Sequence, residues 1–491
     1  MATEKQASGA RGGAVVVLGS AAVAVIQFVA VVVLSRLIRP EDFGLLAMVA
    51  VFVTLGSLLR DSGMPTVALH ARELTNQQAS NLFWMSVSLA IVAGGGLALS
   101  TPAIVALYSE PRLAHLVPLM ALVVVITGIG AQLQVRLARE LRYKAMVGTD
   151  VASQAAGLGA AIVLALAGAG YWALVAQQLV AAAVLLLLRI VATRWLPSRP
   201  RRGHGSAAMF RAGAQYGAAY AMSFLQNNAH TFILGTRLGA LPLGYYNRGY
   251  QLLQAPASRL VSPLVHVAVP LMNKAQNEGR AYAPILLRVQ FVIGAAMAWI
   301  FAMAAGSAEE LIPLALGAGW GPTIPVFQVL AVGGLASSLG TVAWWGFIAN
   351  QQSKQLLQCD LVTKPLSVLF LIAGSFFGLT GVAWGYALGL AAGWPISLFW
   401  LGRTTGLPVR KFLVQGTWII ASALLGGAAC WVVVRSVAPA LSGAPAILIG
   451  VLVGTVAMLV PLVAAQATRD HLKGSVQLVR DALANRRFGR R

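Results

Sequence analysis

Two arginines and a histidine lie within one apolar segment that is long enough to cross a bilayer. The segment covers residues 244–270 and reads GYYNRGYQLLQAPASRLVSPLVHVAVP. On a helix of about 100° per residue, five of its polar side chains fall within about 80° of one another and form one stripe: Arg248, Gln251, Arg259, Ser262 and His266. A charged side chain inside a membrane faces a bundle interior or a wet cavity. The stripe therefore predicts a cationic lumen that binds an anion, and guanidinium groups pair with phosphate in bidentate geometry.

Arg259 is the strongest candidate for such binding. It lies about 16 Å along the helix from Arg248, too deep to reach either surface easily. Pro256 and Pro263 flank it, and prolines at membrane depth kink or gate helices. Between residue 151 and the C-terminal tail only four acids occur, none of them beside the stripe in sequence: Glu278, Glu309, Glu310 and Asp360.

Neighbouring apolar segments add further candidates, each with an alternative reading. Arg211 and Gln215 share one side of the preceding segment, and Arg288 lies near the start of the following one. Arg211 and Arg288 lie about a turn inside the cytoplasmic ends, so snorkelling to the headgroups explains them equally well. Arg248 follows Tyr245 and Tyr246, as an anchor in an outer aromatic belt would.

Three acids remain to be interpreted. Asp61 ends the second apolar segment and Asp150 begins the fifth, so either could carry a coupling proton or sodium ion. Their terminal placement favours helix capping or local pairing over that role. Asp360 precedes Lys364 by four residues, and this spacing predicts a salt bridge along one helix.

The elements that position these residues are membrane helices. The chain has 491 residues, of which 58% are hydrophobic and 10% charged, and its mean hydropathy is +0.76. Apolar runs of roughly 20 residues, enough to span about 30 Å of hydrocarbon, recur about 14 times. The composition predicts an all-α polytopic protein with these spans: 14–35, 43–60, 82–104, 113–135, 148–168, 171–191, 207–235, 244–270, 284–305, 324–349, 360–380, 382–402, 413–436 and 444–466.

The formal net charge of +22 orients the chain in the membrane. With the N-terminus inside, most Lys and Arg residues fall in cytoplasmic segments, as the positive-inside rule requires. The charge therefore needs no nucleic-acid partner, and both termini are predicted to be cytoplasmic. The tail 467–491 carries an apolar stripe among basic residues, which fits an amphipathic helix on the anionic membrane surface or a solvated topogenic tail.

Two stretches of the chain resemble each other. LSRLIRPEDFGLL from Leu34 and LGTRLGALPLGYY from Leu234 both place a glycine, Gly44 or Gly244, after an Arg-Leu pair and a turn with proline. Each links the first and second spans of a six-span set. The sequence thus predicts two six-helix lobes in parallel repeat around a central cationic cavity. The predicted domains are lobes 1–205 and 206–405, an additional helix pair 406–466, and the basic tail 467–491.

Residues 34–74 resemble the amino-terminal region of Wzx-type polysaccharide flippases in the multidrug/oligosaccharidyl-lipid/polysaccharide exporter superfamily. That family shows an L-x-R-L-L-x-P-x-D-F-G turn and an L-x-D-x-G-L/M stretch, which here are Leu34 to Gly44 and Leu59 to Met64. The chain departs from the first motif at Ile38 and Arg39, where many relatives have Leu-Gly. The resemblance implies that the protein moves undecaprenyl-diphosphate-linked oligosaccharide from the cytoplasmic to the periplasmic leaflet of a bacterial inner membrane by alternating access. Membrane lipids and the polysaccharide polymerase and chain-length machinery are the other partners that it implies.

The sequence offers no enzyme signature. It lacks a G-x-x-x-x-G-K-[ST] loop and any D-x-D pair or His/Cys cluster, so no ATP site, metal or cofactor is predicted. One alternative is a membrane polysaccharide polymerase or glycosyltransferase, although the longest outer connection, near 304–325, is short for such a site. Another alternative is a multidrug exporter of the same fold, which should carry lumen acids for cationic drugs where this chain has arginines.

The charge asymmetry predicts that alkaline phosphatase fused to the C-terminus is inactive, because that enzyme folds only on the periplasmic side. The measurement is the phosphatase activity of intact cells. A fusion after the first span, within 36–42, should be active and serves as the control. An active C-terminal fusion would refute the orientation.

Overall fold

The computed structural model describes residues 2–61, 68, 74–201, 224, 228–253, 272 and 283–464, with side chains from residue 15 onward except at positions 59 and 61. Most of these residues are helical, and they contain no strand. The helices before residue 254 are α1 (Ala2–Leu37), α2 (Pro40–Asp61), α3 (Asn76–Leu99), α4 (Thr101–Tyr108), α5 (Leu113–Arg139), α6 (Tyr143–Leu166), α7 (Tyr171–Thr193), α8 (228–238) and α9 (240–253).

The helices after residue 282 follow with short connections. They are α10 (Ala283–Gly306), α11 (Ala308–Leu316), α12 (Thr323–Ala349), α13 (Ser353–Ser375), α14 (Gly378–Thr405), α15 (Val409–Val437) and α16 (Ala444–Ala464), with a 3₁₀ turn at Ala318–Trp320. Within the described ranges, 12 helices are long and apolar enough to cross a membrane. Each overlaps one predicted span, so the all-α polytopic class is confirmed. The predicted spans 207–235 and 244–270 fall largely outside the described residues, and the count of 14 stays a prediction.

The chain forms two compact units, Met1–Asn247 and Arg248–Arg491, so their boundary falls within helix α9. In the first unit α5 is central: it packs against α2, α3 and α7, while α1 packs on α6. In the second unit α12 is the most deeply buried helix and packs against α10 and α14. Both central helices are the fourth span of a predicted six-span set, in keeping with the predicted repeat.

Glycines bring helix backbones together within these units. In the second unit, a methyl group at Gly426 would lie 2.7 Å from the carbonyl oxygen of Gly454, and one at Gly454 would lie 2.7 Å from that of Gly426. Helices α15 and α16 therefore touch backbone to backbone. Apolar side chains in a membrane are already surrounded by apolar lipid, so they gain little by packing together. The close backbone contact stabilises the helix pair through van der Waals packing instead.

The two repeated turns meet in the first unit. A methyl group at Gly44 would overlap the carbonyl oxygen of Ala240, and one at Gly244 would overlap that of Pro40. The two contacts are equivalent, because Gly44 and Gly244 occupy matching places in the repeat, as do Pro40 and Ala240. We call this pair of contacts the glycine crossing. It joins the first turns of α2 and α9.

Alanine at Gly44 should destabilise the protein, because its methyl group cannot fit unless the backbone of Ala240 moves. We expect a loss of about 1–3 kcal/mol, the usual cost of overpacking. Gly96, an exposed glycine of α3 with no neighbouring atom within 4 Å, provides the control. The thermal unfolding midpoint in detergent should fall for Gly44→Ala and hold or rise for Gly96→Ala. Equal unfolding midpoints for the two variants would show that the glycine crossing accommodates a methyl group without loss of stability.

Candidate functional site

The structure describes the side chains of four predicted site residues: Arg248, Gln251, Arg288 and Asp150. The others lie outside the described residues or, for the acid that ends α2, have no described side chain: Arg211, Gln215, Arg259, His266 and Asp61. The lower part of the stripe and its proposed anion site therefore stay predictions.

Arg248 is buried in the last turns of α9. Only 7% of it is exposed, and its Nη1 donates a hydrogen bond of 2.8 Å to Oε1 of Gln251, three residues further along the same face. Gly249 packs against Thr323 and Phe327 at the start of α12. Tyr246 is fully buried as well. A side chain that anchors a helix at the headgroups must reach them, so this burial disfavours the aromatic-belt explanation of Arg248.

Arg288 lies near the start of α10 and is half-buried. Two residues on, Gln290 is completely buried and donates hydrogen bonds to the carbonyl oxygen of Phe412 (2.9 Å) and to Oε1 of Gln415 (3.2 Å). Gln290 thus joins α10 to α15, in part through an amide pair with Gln415. Arg288 forms no ion pair with any residue that the structure describes, and both of its interpretations, headgroup contact or substrate contact, stay open.

Asp150 is paired. Its Oδ1 accepts a hydrogen bond of 2.8 Å from Nη2 of Arg189, so α6 and α7 are joined by a salt bridge. The Arg189 side chain is 7% exposed and that of Asp150 33% exposed. Nη1 of Arg189 also lies beside Gly130 of α5, where a side chain would reduce its space. An ion pair thus sits where three helices of the first unit meet.

The sequence analysis did not identify Arg189 as the partner of Asp150. A usable signal was present. α6 and α7 are connected by the short turn Ala167–Gly170, in which Gly168 and Gly170 adopt positive φ. Asp150 and Arg189 lie at similar distances from this turn on antiparallel helices, so they reach the same depth.

Two other charged side chains have structural partners. Arg60, at the end of α2, donates to Oγ1 of Thr127 and to the carbonyl oxygen of Val124 (3.4 Å), so it holds α2 against α5. Lys364 lies 3.5 Å from Asp360, and the predicted salt bridge along α13 is confirmed.

On the side of the first unit where α4 ends, Arg112 joins two carboxylates. Its Nε and Nη2 donate to Glu110 at 2.7 and 2.8 Å, and Nη2 also donates to Glu41. The hydrogen bond from Arg112 holds the pKa of Glu110 below its ordinary value. This arginine is neutralised by two acids and is therefore poorly suited to bind an anion.

Within the described residues, no group of three His, Cys, Asp or Glu side chains could hold a metal ion. Cys359 and Cys430 are buried and unbonded to each other. Neither cysteine belongs to a group of metal-ligating side chains among the described residues.

The fold and these polar positions define a multi-pass membrane protein. Residues 33–325, more than half of the chain, match the family model described as polysaccharide biosynthesis protein, and the chain belongs to this family. It is 25% identical over 392 residues to the lipopolysaccharide biosynthesis protein WzxC of Escherichia coli (strain K12), covering 78% of each chain.

Solved structures show the same fold at low identity. The lipid II flippase MurJ in an inward closed conformation is 12% identical, with a TM-score of 0.68 over 91% of this chain and 98% of that one. An inward-facing multidrug resistance transporter of the MATE family is 16% identical, with a TM-score of 0.59 over 79% and 96% of the two chains. The fold is thus shared by proteins whose names indicate different cargo.

The Arg189 and Asp150 pair should show coupled effects on stability. Asp150→Ala leaves a buried cation without its counter-charge, which is strongly unfavourable, whereas Arg189→Met removes the cation and keeps its volume. We expect the thermal midpoint to fall most for Asp150→Ala and to recover in the double variant Asp150→Ala/Arg189→Met. A double-mutant cycle in detergent gives the coupling. Additive effects would mean that the salt bridge contributes nothing to stability.

Proposed function

We propose that this protein is a flippase for undecaprenyl-diphosphate-linked oligosaccharide, acting in surface polysaccharide biosynthesis. It moves the repeat unit from the cytoplasmic to the periplasmic leaflet of a bacterial inner membrane, with both termini in the cytoplasm. It changes no covalent bond of its cargo and is not an enzyme. Family membership supports the pathway, and the MurJ-like fold is compatible with a lipid-linked cargo.

The burial of Arg248 is the observation that best supports an anionic substrate. A guanidinium that is 7% exposed within apolar chain is costly, and it is retained where it binds an anion or stabilises a polar cavity. Gln251 fixes its orientation from the same helix face. Continued along the predicted helix, this face carries Arg259 and His266. A diphosphate fits such a row of cationic groups, whereas a cationic drug does not.

Alternating access is supported by the glycine crossing. It holds the turn between α1 and α2 against the turn between α8 and α9, on what the charge distribution predicts to be the periplasmic side. The contact is made by backbone atoms at glycines rather than by interlocked side chains, so it can separate without rotamer changes. We assign it to the outer closure of the transport path.

Ion coupling is proposed at the two acids of the first lobe, Asp61 and Asp150. Asp150 is the better supported of the two, because its carboxylate is one-third exposed while it pairs with buried Arg189. A proton that reached Asp150 would break this pair and change the contact between α6 and α7.

Purified protein in liposomes tests the proposed function. A fluorescent undecaprenyl-diphosphate oligosaccharide should become accessible to a membrane-impermeant reagent on the opposite leaflet while its mass stays unchanged. A product of higher mass would indicate a polymerase instead. Uptake of a cationic dye without lipid movement would indicate a drug exporter.

Arg259→Ala should abolish polysaccharide export in a flippase-null strain at unchanged membrane protein level. Arg259→Lys should keep part of the activity, since its charge survives but the bidentate fork is lost. Arg248→Ala should reduce export, while the matched control Arg237→Ala, at an exposed arginine of α8, should not. The proposed anion-binding role of the stripe is wrong if the Arg259→Ala variant exports polysaccharide like the wild type. It is also wrong if reduced export is fully explained by a lower amount of the variant protein in the membrane.

A further inference from the structure

A polar cavity lies at the end of α5 in the first unit. It encloses about 270 Å³ and lies between the start of α3, the end of α5 and the segment after α7. Its polar and aromatic lining comes from six side chains: Asn76, Gln132, Arg136, Arg139, Glu140 and Trp195. Drug-sized ligands occupy pockets of about 300–1,000 Å³, so this cavity suits a smaller headgroup.

Arg136 is held in place at the centre of the cavity wall. Its Nε donates to Oε1 of Glu140 at 2.8 Å, and its Nη1 approaches Oδ1 of Asn76 at 3.5 Å. Its Cζ lies 5.1 Å from the ring centre of Trp195, a cation–π distance. Among the described residues, Nη2 of Arg136 has no hydrogen-bond acceptor. A preorganised guanidinium therefore keeps donors for a ligand.

The wall that carries Trp195 is fixed to α3 by hydrogen bonds. The backbone N–H of Ser198 donates to Oγ of Ser80 at 3.0 Å, and its carbonyl oxygen accepts from Nε1 of Trp84 at 2.9 Å. Asn81 pairs with both backbone groups of Arg201, at 2.7 and 3.0 Å. The segment following α7 is thus docked on α3, so the cavity is built before any ligand arrives.

Charge and position favour a lipid phosphate as the ligand. Arg136 and Arg139 line the cavity together with one carboxylate, that of Glu140, and Arg139 also donates to the carbonyl oxygen of Ala68. The cavity also lies at the N-terminal end of α3, where the helix dipole favours anions. It sits at the last turns of the span Leu113–Arg139, the depth at which lipid headgroups meet a protein.

We propose that this cavity binds the phosphate of a membrane lipid headgroup at the end of the first unit that is predicted to face the cytoplasm. The guanidinium of Arg136 contacts the phosphate oxygens. Gln132, which is 4% exposed and donates a hydrogen bond to Ser86, lines the inner end of the cavity. Two lipids carry this chemistry: a phospholipid such as phosphatidylglycerol, or the lipid-linked diphosphate of the proposed function. Only the second source rests on that function.

The test measures lipid dissociation constants of purified protein by native mass spectrometry, with phosphatidylglycerol, undecaprenyl diphosphate and phosphatidylcholine as probes. Arg136→Gln should weaken binding of an anionic lipid about tenfold or more, the value of a lost charge-assisted hydrogen bond. Glu140→Gln should tighten binding, because it removes a repelling carboxylate. Lys144→Gln is the matched control: its side chain is exposed, it loses the same unit of charge, and it does not line the cavity.

The two anionic lipids distinguish the sources. Tighter binding of undecaprenyl diphosphate assigns the cavity to substrate loading, and equal binding assigns it to a general anionic lipid. The proposal is overturned if Arg136→Gln binds both lipids like the wild type, if Lys144→Gln weakens binding equally, or if phosphatidylcholine binds as tightly as the two anionic lipids. Lipid binding needs no transport, so a failure of the flippase assay would leave this result intact.

Discussion

A hydrocarbon interior offers no hydrogen-bonding partner to a peptide group, so a segment that crosses it satisfies its own backbone as a helix. Helices in lipid gain little from burying apolar side chains against one another, and close backbone contact supplies the attraction instead. The glycine crossing at Gly44 and Gly244 and the contact between Gly426 and Gly454 are examples of this constraint. The central helices α5 and α12 each contact several other helices of their unit: α2, α3 and α7 around α5, and α10 and α14 around α12.

Burying a charge in the same hydrocarbon medium costs free energy, so each buried charge needs a nearby partner that offsets this cost. Arg189 is paired with Asp150, and Arg248 is oriented by Gln251. Arg112, at the opposite end of the first unit from Arg136, is neutralised by two carboxylates. Arginines therefore differ in what they leave for a ligand. Arg136 is positioned by Glu140 and Trp195, and its Nη2 has no acceptor among the residues that the structure describes, which is why we propose it as a binding group.

Fold alone does not select a cargo, because a lipid II flippase and a multidrug transporter share this architecture. The cargo of this chain depends on the chemistry along its transport path. We propose that the arginine-bearing stripe, which begins at Arg248 in α9, selects an anionic headgroup over a cationic drug. The proposed phosphate-binding cavity at the membrane interface of the first unit would also select an anionic headgroup. It would do so at an earlier step, before the headgroup enters the lumen.

Hydropathy and local spacing determined the class of this protein from its sequence. The 12 described spans and the salt bridge between Asp360 and Lys364 depend on residues within one helix, where local spacing fixes the distance. Contacts between helices needed the tertiary structure. The pairing of Asp150 with Arg189, the glycine crossing, and the cavity between α3, α5 and Trp195 join residues far apart in the chain. Their formation depends on the rotation and relative height of packed helices, which hydropathy does not encode.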